Sequence, residues 1–359
     1  MIKILSIQNF RSHKDVVLKD CGQFNILMGR NNAGKTAILE AIMLLCFPIN
    51  PREVLVLLNE QRGYKPGDEN QDLWDSYFYN WEHASSISIQ TVESQPISSY
   101  AFSHHLIIEP ITGSPKSLNA TSVIEGRDLL DETKGLFFKH QLENDWIENK
   151  VTALKSRSRK QITPKAKRIV ERLRPIAFIP SKGISNPQDE AERFSRLEKA
   201  NRHHEVEGAL RTVDPRLKRL TVLASGKGSM VYGDMGEGHL VPVPLMGEGM
   251  VRMLSIATAM ANNQGGIILI DEIENGLHYS VLPSLWNMIF KIAIELDIQV
   301  FAATHNDECL YAASQIAQSQ ANQKELRLFR LDLRDGKTIV TDYTADELVA
   351  ALASDQEVR

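Results

Sequence analysis

An eight-residue string near the start of the chain has the residue types and spacing of a phosphate-binding loop. The string is GRNNAGKT, and it matches the pattern G-x-x-x-x-G-K-[S/T]. The backbone N–H groups of such a loop surround the phosphates of a nucleotide, the lysine reaches the β- and γ-phosphates, and the hydroxyl binds Mg²⁺. We therefore expect Lys35 to contact phosphate and Thr36 to hold Mg²⁺. The loop residues expected to bind the nucleotide are Gly29, Asn31, Asn32, Ala33, Gly34, Lys35 and Thr36.

Two carboxylates follow a short apolar run in the last third of the chain. Residues 267–270 (IILI) predict a buried parallel strand, and Asp271 and Glu272 come directly after it. Ligand sites collect at the carboxyl ends of parallel strands. We expect Asp271 to hold Mg²⁺, directly or through water, and Glu272 to orient or deprotonate the attacking water. Acidic residues also occur in such turns because they are solvated there, but the upstream loop favours the functional interpretation.

A histidine ends the next predicted strand, which covers residues 297–305. The carboxyl end of this strand should open on the same edge of the sheet, so His305 could sense the γ-phosphate. The alternative is a structural histidine that only makes hydrogen bonds. The predicted catalytic residues are Glu272, Lys35 and His305.

A glycine-rich turn, Gly247-Glu248-Gly249, precedes a predicted helix just ahead of the acidic strand. The N-terminus of a helix attracts anions, but the phosphate loop already surrounds its nucleotide with donors. Gly247 and Gly249 are therefore expected to contact a nucleotide that another copy of the chain holds. This predicts a head-to-tail dimer with two composite sites. The alternative is a glycine-rich turn before an ordinary helix.

The elements that must position these residues are strands and helices in alternation. An apolar strand at 24–28 is predicted before the phosphate loop, and a mostly apolar helix at 36–46 after it. Between residues 85 and 110 the period changes to two, which predicts antiparallel strands. An Asp335-Gly336 turn predicts a hairpin between 327–332 and 337–343. The other predicted elements are helices at 52–61, within 181–201, and at 206–213, 250–262, 281–296 and 345–354, and strands at 2–8, 15–18, 175–180, 220–232 and 239–243. The strand at 175–180 is expected to be buried.

The composition excludes several classes of protein. The 359 residues include 41 Lys+Arg and 45 Asp+Glu, and the net charge of −4 argues against a general polyanion binder but not against a local basic patch. The three cysteines are scattered, so no zinc site or disulfide framework follows, and a reducing cytosol is the default. The N-terminus alternates like a strand, and no apolar run reaches the length of a membrane span. These features predict a cytoplasmic protein without a membrane partner.

Together, these motifs resemble the ABC-type ATPases of the RecF, chromosome-maintenance (SMC) and overcoming-lysogenization-defect (OLD) group. The resemblance is strongest to the stand-alone AAA-labelled ATPases of the OLD-like branch. The Walker A, signature, Walker B, D-loop and switch-histidine motifs of that group correspond to residues 29–36, 245–249, 267–272, 274–278 and 304–305. Asn9-Phe10-Arg11 resembles the phenylalanine–arginine element of the group, which implies that Arg11 lies near the nucleotide. The implied cofactors are ATP and Mg²⁺.

The signature departs from the pattern of the group. Met246 stands where the signature usually has serine, so a hydroxyl contact to the γ-phosphate is missing. Capping by a second copy then depends on the backbone N–H groups of Gly247 and Gly249. Glu248 has to point away from the phosphate.

Two further motifs of the group are not evident. A Q-loop glutamine cannot be placed, and Gln61 and Gln90 are candidates by position alone. No acidic cluster of the TOPRIM nuclease type follows His305, where OLD nucleases carry their nuclease domain. The resemblance therefore implies that a separate protein supplies the nuclease or toxin.

The resemblance also implies a fold class. The expected fold is α/β, a P-loop NTPase of ABC type, with a central mostly parallel sheet, an antiparallel β subdomain and an inserted helical subdomain. The whole chain, 1–359, would form one ATPase domain. Within it we expect an N-terminal lobe at 1–48 with the Walker A motif, an inserted β and helical subdomain at 49–243, and a C-terminal lobe at 244–359.

The leading functional hypothesis is an ATP-binding and ATP-hydrolysing subunit. It would dimerise around ATP, or form a higher even-numbered oligomer, and control a separate effector or DNA-processing partner. The resemblance implies a role in anti-phage defence or DNA repair.

The alternative is a RecF-like clamp that acts directly on DNA through the basic stretch from Lys150 to Arg174. That stretch would equally suit a solvated face or a docking surface for an acidic partner. The cytosolic ATPase of a transporter is disfavoured by Met246 and by the large insert between the Walker motifs.

Overall fold

The computed structural model describes residues 1–47, 50–64, 74–82, 85–94, 101–111, 135–143, 145–151, 173–181, 187–225, 228–319 and 325–353. Within the basic stretch from Lys150 to Arg174, residues 152–172 lie outside these ranges. The DNA-clamp hypothesis therefore rests on the basic residues in the sequence of this stretch.

The described chain alternates between strands and helices. In chain order the strands are β1 (Ile2–Phe10), β2 (His13–Leu18), β3 (Phe24–Met28), β4 (Ile87–Ser94), β5 (Ala101–Ile111), β6 (Gly135–Leu142), β7 (Asp145–Val151), β8 (Ile176–Ile179), β9 (Arg219–Ser225), β10 (Gly228–Asp234), β11 (Leu240–Pro242), β12 (Ile267–Ile270), β13 (Gln299–Thr304), β14 (Leu326–Arg334) and β15 (Lys337–Thr344). The helices are α1 (Lys35–Leu45), α2 (Pro51–Gln61), α3 (Pro187–Lys199), α4 (His203–Arg211), α5 (Glu248–Ala261), α6 (Leu282–Glu295), α7 (Asp307–Ser319) and α8 (Ala345–Ala353).

The phosphate loop belongs to a six-stranded central sheet with the order β15-β14-β3-β13-β12-β8. Its pairs are parallel except for the β14–β15 hairpin. β3, β12 and β13 are buried along their whole length. Ile26 and Leu27 are consecutive in β3 but belong to two different apolar clusters. Both faces of the sheet are therefore covered, which is why these strands are continuous apolar runs.

A second six-stranded sheet is antiparallel, with the order β2-β1-β4-β5-β6-β7. Burial alternates with period two along β4, because one face of the sheet meets the core and the other meets solvent. A small sheet of β9, β10 and β11 packs with α3 and α4 beside α5. These parts correspond to the predicted central sheet, antiparallel subdomain and helical subdomain, and the predicted α/β fold class is confirmed.

Several elements differ from expectation. Strands β6 and β7 were not predicted. The strand predicted at 175–180 exists as β8, but of its four residues only Ile179 is buried, because β8 is the edge strand of the central sheet. Helix α7 was not predicted. Its sequence, DECLYAASQIAQS, places small buried residues such as Ala313 and Ala317 at helical spacing, and this weakly apolar stripe gives little signal in the sequence.

The two large sheets combine strands from different predicted lobes, whose boundaries lie at residues 48 and 243. β1 and β2 lie before residue 48 and belong to the antiparallel sheet, while β8 lies between 49 and 243 and belongs to the central sheet. The division into three lobes stays a prediction. Among the described residues, no helix is both long enough and apolar enough to cross a membrane.

Candidate functional site

The phosphate loop is a tight turn between β3 and α1. Asn32 and Gly34 have left-handed backbone conformations, with φ of 68° and 92°. Gly34 is the N-cap of α1, so the loop runs directly into the N-terminus of the helix. Turns of this kind gather backbone N–H groups around a concavity that suits an anion.

Lys35 is 7% exposed and folds back over the loop. Its Nζ donates to the carbonyl oxygens of Gly29 at 2.6 Å and Arg30 at 3.1 Å. Burial lowers the pKa of Lys35, whereas the nearby carboxylates of Asp271 and Glu272 act to raise it. The ammonium is thus held at the loop by carbonyl groups that phosphate oxygens could replace as partners.

Thr36 and Asp271 meet although 235 residues separate them in the chain. The Thr36 hydroxyl lies 3.1 Å from Oδ1 and 3.0 Å from Oδ2 of Asp271. Asp271 is 5% exposed, and burial raises its pKa. The residues predicted to share one Mg²⁺ therefore lie within direct hydrogen-bonding distance.

Arg252, on α5, supports the acidic turn and was not predicted from the sequence. Its guanidinium donates to the carbonyls of Pro180 at 2.7 Å, Asp271 at 2.8 Å and Glu272 at 3.2 Å. Glu272 itself has a φ of 43°, which is unusual for a non-glycine residue. The signal that could have identified Arg252 is a lone charge in the otherwise apolar helical run MVRMLSIATAMA.

Arg11 is oriented by three groups near the loop. Its Nε is 3.1 Å from the Glu40 carboxylate, its Nη1 is 2.9 Å from the Ser76 hydroxyl, and its guanidinium lies 4.0 Å from the centre of the Tyr77 ring. Glu40 is 1% exposed and also pairs with Arg62. Arg11 therefore faces the site as part of a charged cluster.

A cavity of about 810 Å³ joins these groups. The predicted site residues in its lining are Arg11, Asn31, Asn32, Gly34, Lys35, Thr36, Asp271 and Glu272. Four residues that the sequence had not indicated add a wall to the cavity: Arg62, Ser76, Asn80 and Trp81. Of the two Q-loop candidates, Gln61 lines the cavity, whereas Gln90 pairs within the antiparallel sheet.

His305 is 47% exposed in its side chain and lies outside the described lining of this cavity. Its Nδ1 and its backbone N–H both contact Oε1 of Glu274, each at 3.2 Å. Glu274 therefore orients His305 in this structure. A contact of His305 with the γ-phosphate stays a prediction.

The glycine-rich turn also lies outside the cavity of its own chain. Gly247 has a φ of 100° and is the N-cap of α5, and a Cβ at this position would meet nothing within 4 Å. The carboxylate of Glu248 lies beside Gly276, and the Leu277 side chain lies beside Gly249. Glu248 thus lies beside the turn at 274–278 of its own chain.

Comparisons with known proteins agree with this geometry. A family model described as "AAA domain, putative AbiEii toxin, Type IV TA system" matches residues 62–310, and a model described as "AAA ATPase domain" matches residues 1–50. The first match covers more than half of the chain. The chain belongs to this AAA family.

The AAA ATPase has a relative of similar length and a structural neighbour. A protein of Helicobacter pylori named ATP/GTP phosphatase is 25% identical over 370 residues, which cover 97% of both chains. The Rad50 DNA double-strand break repair ATPase of Archaeoglobus fulgidus is 43% identical over 51 residues, which are 14% of this chain and 6% of that protein. An SMC head, solved with the C-terminal winged-helix domain of ScpA, matches with a TM-score of 0.61 at 14% identity over 97% of this chain and 99% of that one. The AAA ATPase therefore has an SMC-head-like fold.

Proposed function

We propose that this AAA ATPase binds ATP at the cavity over the phosphate loop and hydrolyses it there, and that it works as a dimer that controls a separate effector. The observation that carries the proposal is the contact between the Thr36 hydroxyl and the Asp271 carboxylate. It brings a phosphate-binding loop from the start of the chain to a carboxylate from its last third. The name of the Helicobacter relative supports nucleotide hydrolysis as the reaction.

The loop and Lys35 would bind the phosphates. The left-handed residues at 32 and 34 direct backbone N–H groups to one place, and the N-terminus of α1 adds its partial positive charge. The Lys35 ammonium would exchange its two carbonyl partners for oxygens of the β- and γ-phosphates.

The residues present suit Mg²⁺. Thr36 supplies a hydroxyl oxygen and Asp271 a carboxylate oxygen, and Mg²⁺ prefers such ligands while it keeps several waters and phosphate oxygens. Asp271 is nearly buried beside Glu272, so a cation would offset the cost of its charge. When bound, Mg²⁺ would neutralise charge on the β- and γ-phosphates.

Glu272 is the group proposed to orient and deprotonate the attacking water. It lines the cavity directly after Asp271. Arg252 donates to its backbone carbonyl and to that of Asp271, so the backbone that carries both carboxylates is held by one side chain. His305, held by Glu274, is proposed to approach the γ-phosphate when nucleotide is bound.

A second copy is proposed to complete the site. Gly247 and Gly249 open a 14-residue helix whose first N–H groups can bind an anion, yet they lie outside the cavity of their own chain. The neighbouring residue Leu245 is 76% exposed. In a head-to-tail dimer, this turn would cap the nucleotide of the other copy.

The effector is proposed to be a separate nuclease or toxin, and the setting anti-phage defence or DNA repair. The description of the matched family mentions a toxin system, and the Rad50 relative is named for DNA repair. Direct action on DNA through 150–174 is the second candidate, favoured by the ten basic residues named in that stretch: Lys150, Lys155, Arg157, Arg159, Lys160, Lys165, Lys167, Arg168, Arg172 and Arg174.

ATP turnover tests the enzymatic part of the proposal. Wild-type protein, K35A and the control K14A, which changes an exposed lysine on β2, are compared for phosphate release with Mg²⁺. We expect turnover in the wild type and in K14A, and a loss of at least about 100-fold in K35A, because several phosphate contacts depend on Lys35. Equal turnover in K35A and wild type would contradict the proposal.

A further inference from the structure

His13 is completely buried directly behind the phosphate loop. Its Nε2 lies 2.9 Å from the carbonyl oxygen of Gly34, and its Nδ1 lies 2.9 Å from Oγ1 of Thr338. Because a carbonyl oxygen can only accept, Nε2 carries the proton, and in the neutral ring Nδ1 then accepts from the Thr338 hydroxyl. The ring therefore connects the loop at the start of the chain with the C-terminal hairpin, 325 residues away.

The contact with the Gly34 carbonyl affects the orientation of a backbone N–H in the phosphate loop. This carbonyl shares a planar trans peptide with the N–H of Lys35, and the two groups point in opposite directions. The same carbonyl accepts the α1 hydrogen bond from Ile38 at 3.2 Å. The hydrogen bond from His13 therefore sets the orientation of the whole Gly34–Lys35 peptide. As a result, the Lys35 N–H, one of the first donors at the N-terminus of α1, points to the place where a phosphate binds.

The ring and the loop touch without a gap. A Cβ on residue 34 would lie 2.3 Å from Cε1 of His13 and 2.6 Å from Oγ of Ser12. Gly34 also has a φ of 92°, so both its backbone and its surroundings require glycine. Any shift of His13 is thus transmitted to the peptide that follows Gly34.

The hairpin tip, defined as residues 335–338, also contacts the segment at 79–81, which contributes to the cavity wall. The Tyr79 hydroxyl donates to the carbonyl oxygen of Gly336 at 2.8 Å. Asn80 and Trp81 follow Tyr79 and line the cavity, and both have left-handed backbones, with φ of 50° and 62°. Such strain persists where the surroundings impose it. The hairpin tip thus contacts both His13, behind the loop, and Tyr79, which precedes two residues of the cavity wall.

We infer that His13 and Thr338 are positioning residues of the nucleotide site, through which the hairpin tip sets the orientation of the Gly34–Lys35 peptide. The inference rests on the proposed function, since it presupposes that the cavity binds a nucleotide. It assigns a role in nucleotide binding to a segment that carries none of the motifs of the family.

Nucleotide affinity of hairpin variants tests this inference. T338V removes the hydroxyl and keeps the shape of the side chain, T338S keeps the hydroxyl, and T341V makes the same change at an exposed position on the same strand. The dissociation constant of a fluorescent ADP is measured for each, together with KM and kcat for ATP and the melting temperature. H13Q, whose amide can still donate to the Gly34 carbonyl, is measured alongside H13A.

We expect T338V to weaken ADP binding and raise KM about 3- to 10-fold, as for the loss of one hydrogen bond, with a smaller effect on kcat. T338S and T341V should bind like the wild type, and H13Q should bind more tightly than H13A. If T338V lowers the melting temperature but binds ADP like the wild type, the hairpin is merely structural and the inference is wrong. If the wild type itself binds no nucleotide, the proposed function fails and the inference fails with it.

Discussion

The Thr36 hydroxyl lies 3.0 Å and 3.1 Å from the two carboxylate oxygens of Asp271. Thr36 lies in the first turn of α1, and Asp271 directly follows strand β12. The parallel order β3-β13-β12 places the carboxyl ends of these strands on one edge, so the sheet itself brings the two groups together.

Substitution of Glu272 should separate nucleotide binding from hydrolysis. E272Q keeps the shape and position of the side chain but removes its ability to accept a proton. We expect ATP turnover to fall by about 10²- to 10⁴-fold, the usual contribution of a general base, while ATP binding persists. Phosphate release and equilibrium binding are measured beside E295Q, a control at an exposed position on α6. Turnover of E272Q within twofold of the control would assign the base to another residue.

Removal of Arg252 should destabilise the acidic turn. In R252M the carbonyls of Pro180, Asp271 and Glu272 lose their shared donor, although Glu272 still accepts from the N–H of Asn275. A desolvated carbonyl without a partner costs about 1–3 kcal/mol. We expect a lower melting temperature and reduced turnover, with partial recovery in R252K. The control is R196M, at an exposed position on α3. Stability and turnover like those of R196M would show that other contacts hold the turn.

The proposed composite site predicts complementation between two inactive variants. T36A damages the phosphate loop, and G249R blocks the turn expected to cap the partner's nucleotide. In a mixed dimer, one site combines an intact loop with an intact turn, so about a quarter of wild-type turnover should return if copies exchange freely.

The control for complementation is a mixture of T36A and D271N. These residues meet within one chain, so every site in that mixture lacks one of them and no activity should return. Failure of T36A and G249R to complement, with subunit exchange verified by native mass spectrometry, would argue against capping by a second copy.

Two buried histidines in the antiparallel sheet should make the stability of the protein depend on pH. His104 and His140 are fully buried on β5 and β6, with ring centres 5.8 Å apart. Burial lowers the pKa of His104 to about 4 and holds the pKa of His140 well below 6.5. Since the unfolded chain takes up protons below about pH 6.5 and the folded chain does not, the free energy of unfolding should fall as pH drops from 6.5 toward 4, by up to about 3 kcal/mol for His104.

Chemical denaturation at pH 7.5 and pH 5 measures this effect in the wild type and in H104L and H140L. Each leucine variant should lose less stability than the wild type between the two pH values. The same decrease in all three proteins would mean that other groups cause it.

The parts of the site that the sequence predicts are those encoded by local patterns. The glycine-rich string with its flanking strand and helix, and the run IILI before Asp271, each contain their own signal. Arg252 is marked only by its charge in a mostly apolar helical run, and His13 by no local pattern, because their roles depend on partners such as Pro180 and Thr338, which lie 72 and 325 residues away. The pairing of β8 with β12 is likewise a long-range contact between two short apolar runs, and neither run indicates its neighbour.

The most direct test asks whether Thr36 and Asp271 hold the same ion. The affinity for Mn²⁺, as a spectroscopic substitute for Mg²⁺, is measured in the presence of a non-hydrolysable ATP analogue for the wild type, T36V, D271N and the double variant. We predict that each single substitution weakens Mn²⁺ binding by at least about 10-fold and that the double variant departs from additivity by more than about 1 kcal/mol, as for residues that share one partner. Wild-type affinity in either single variant would contradict the account.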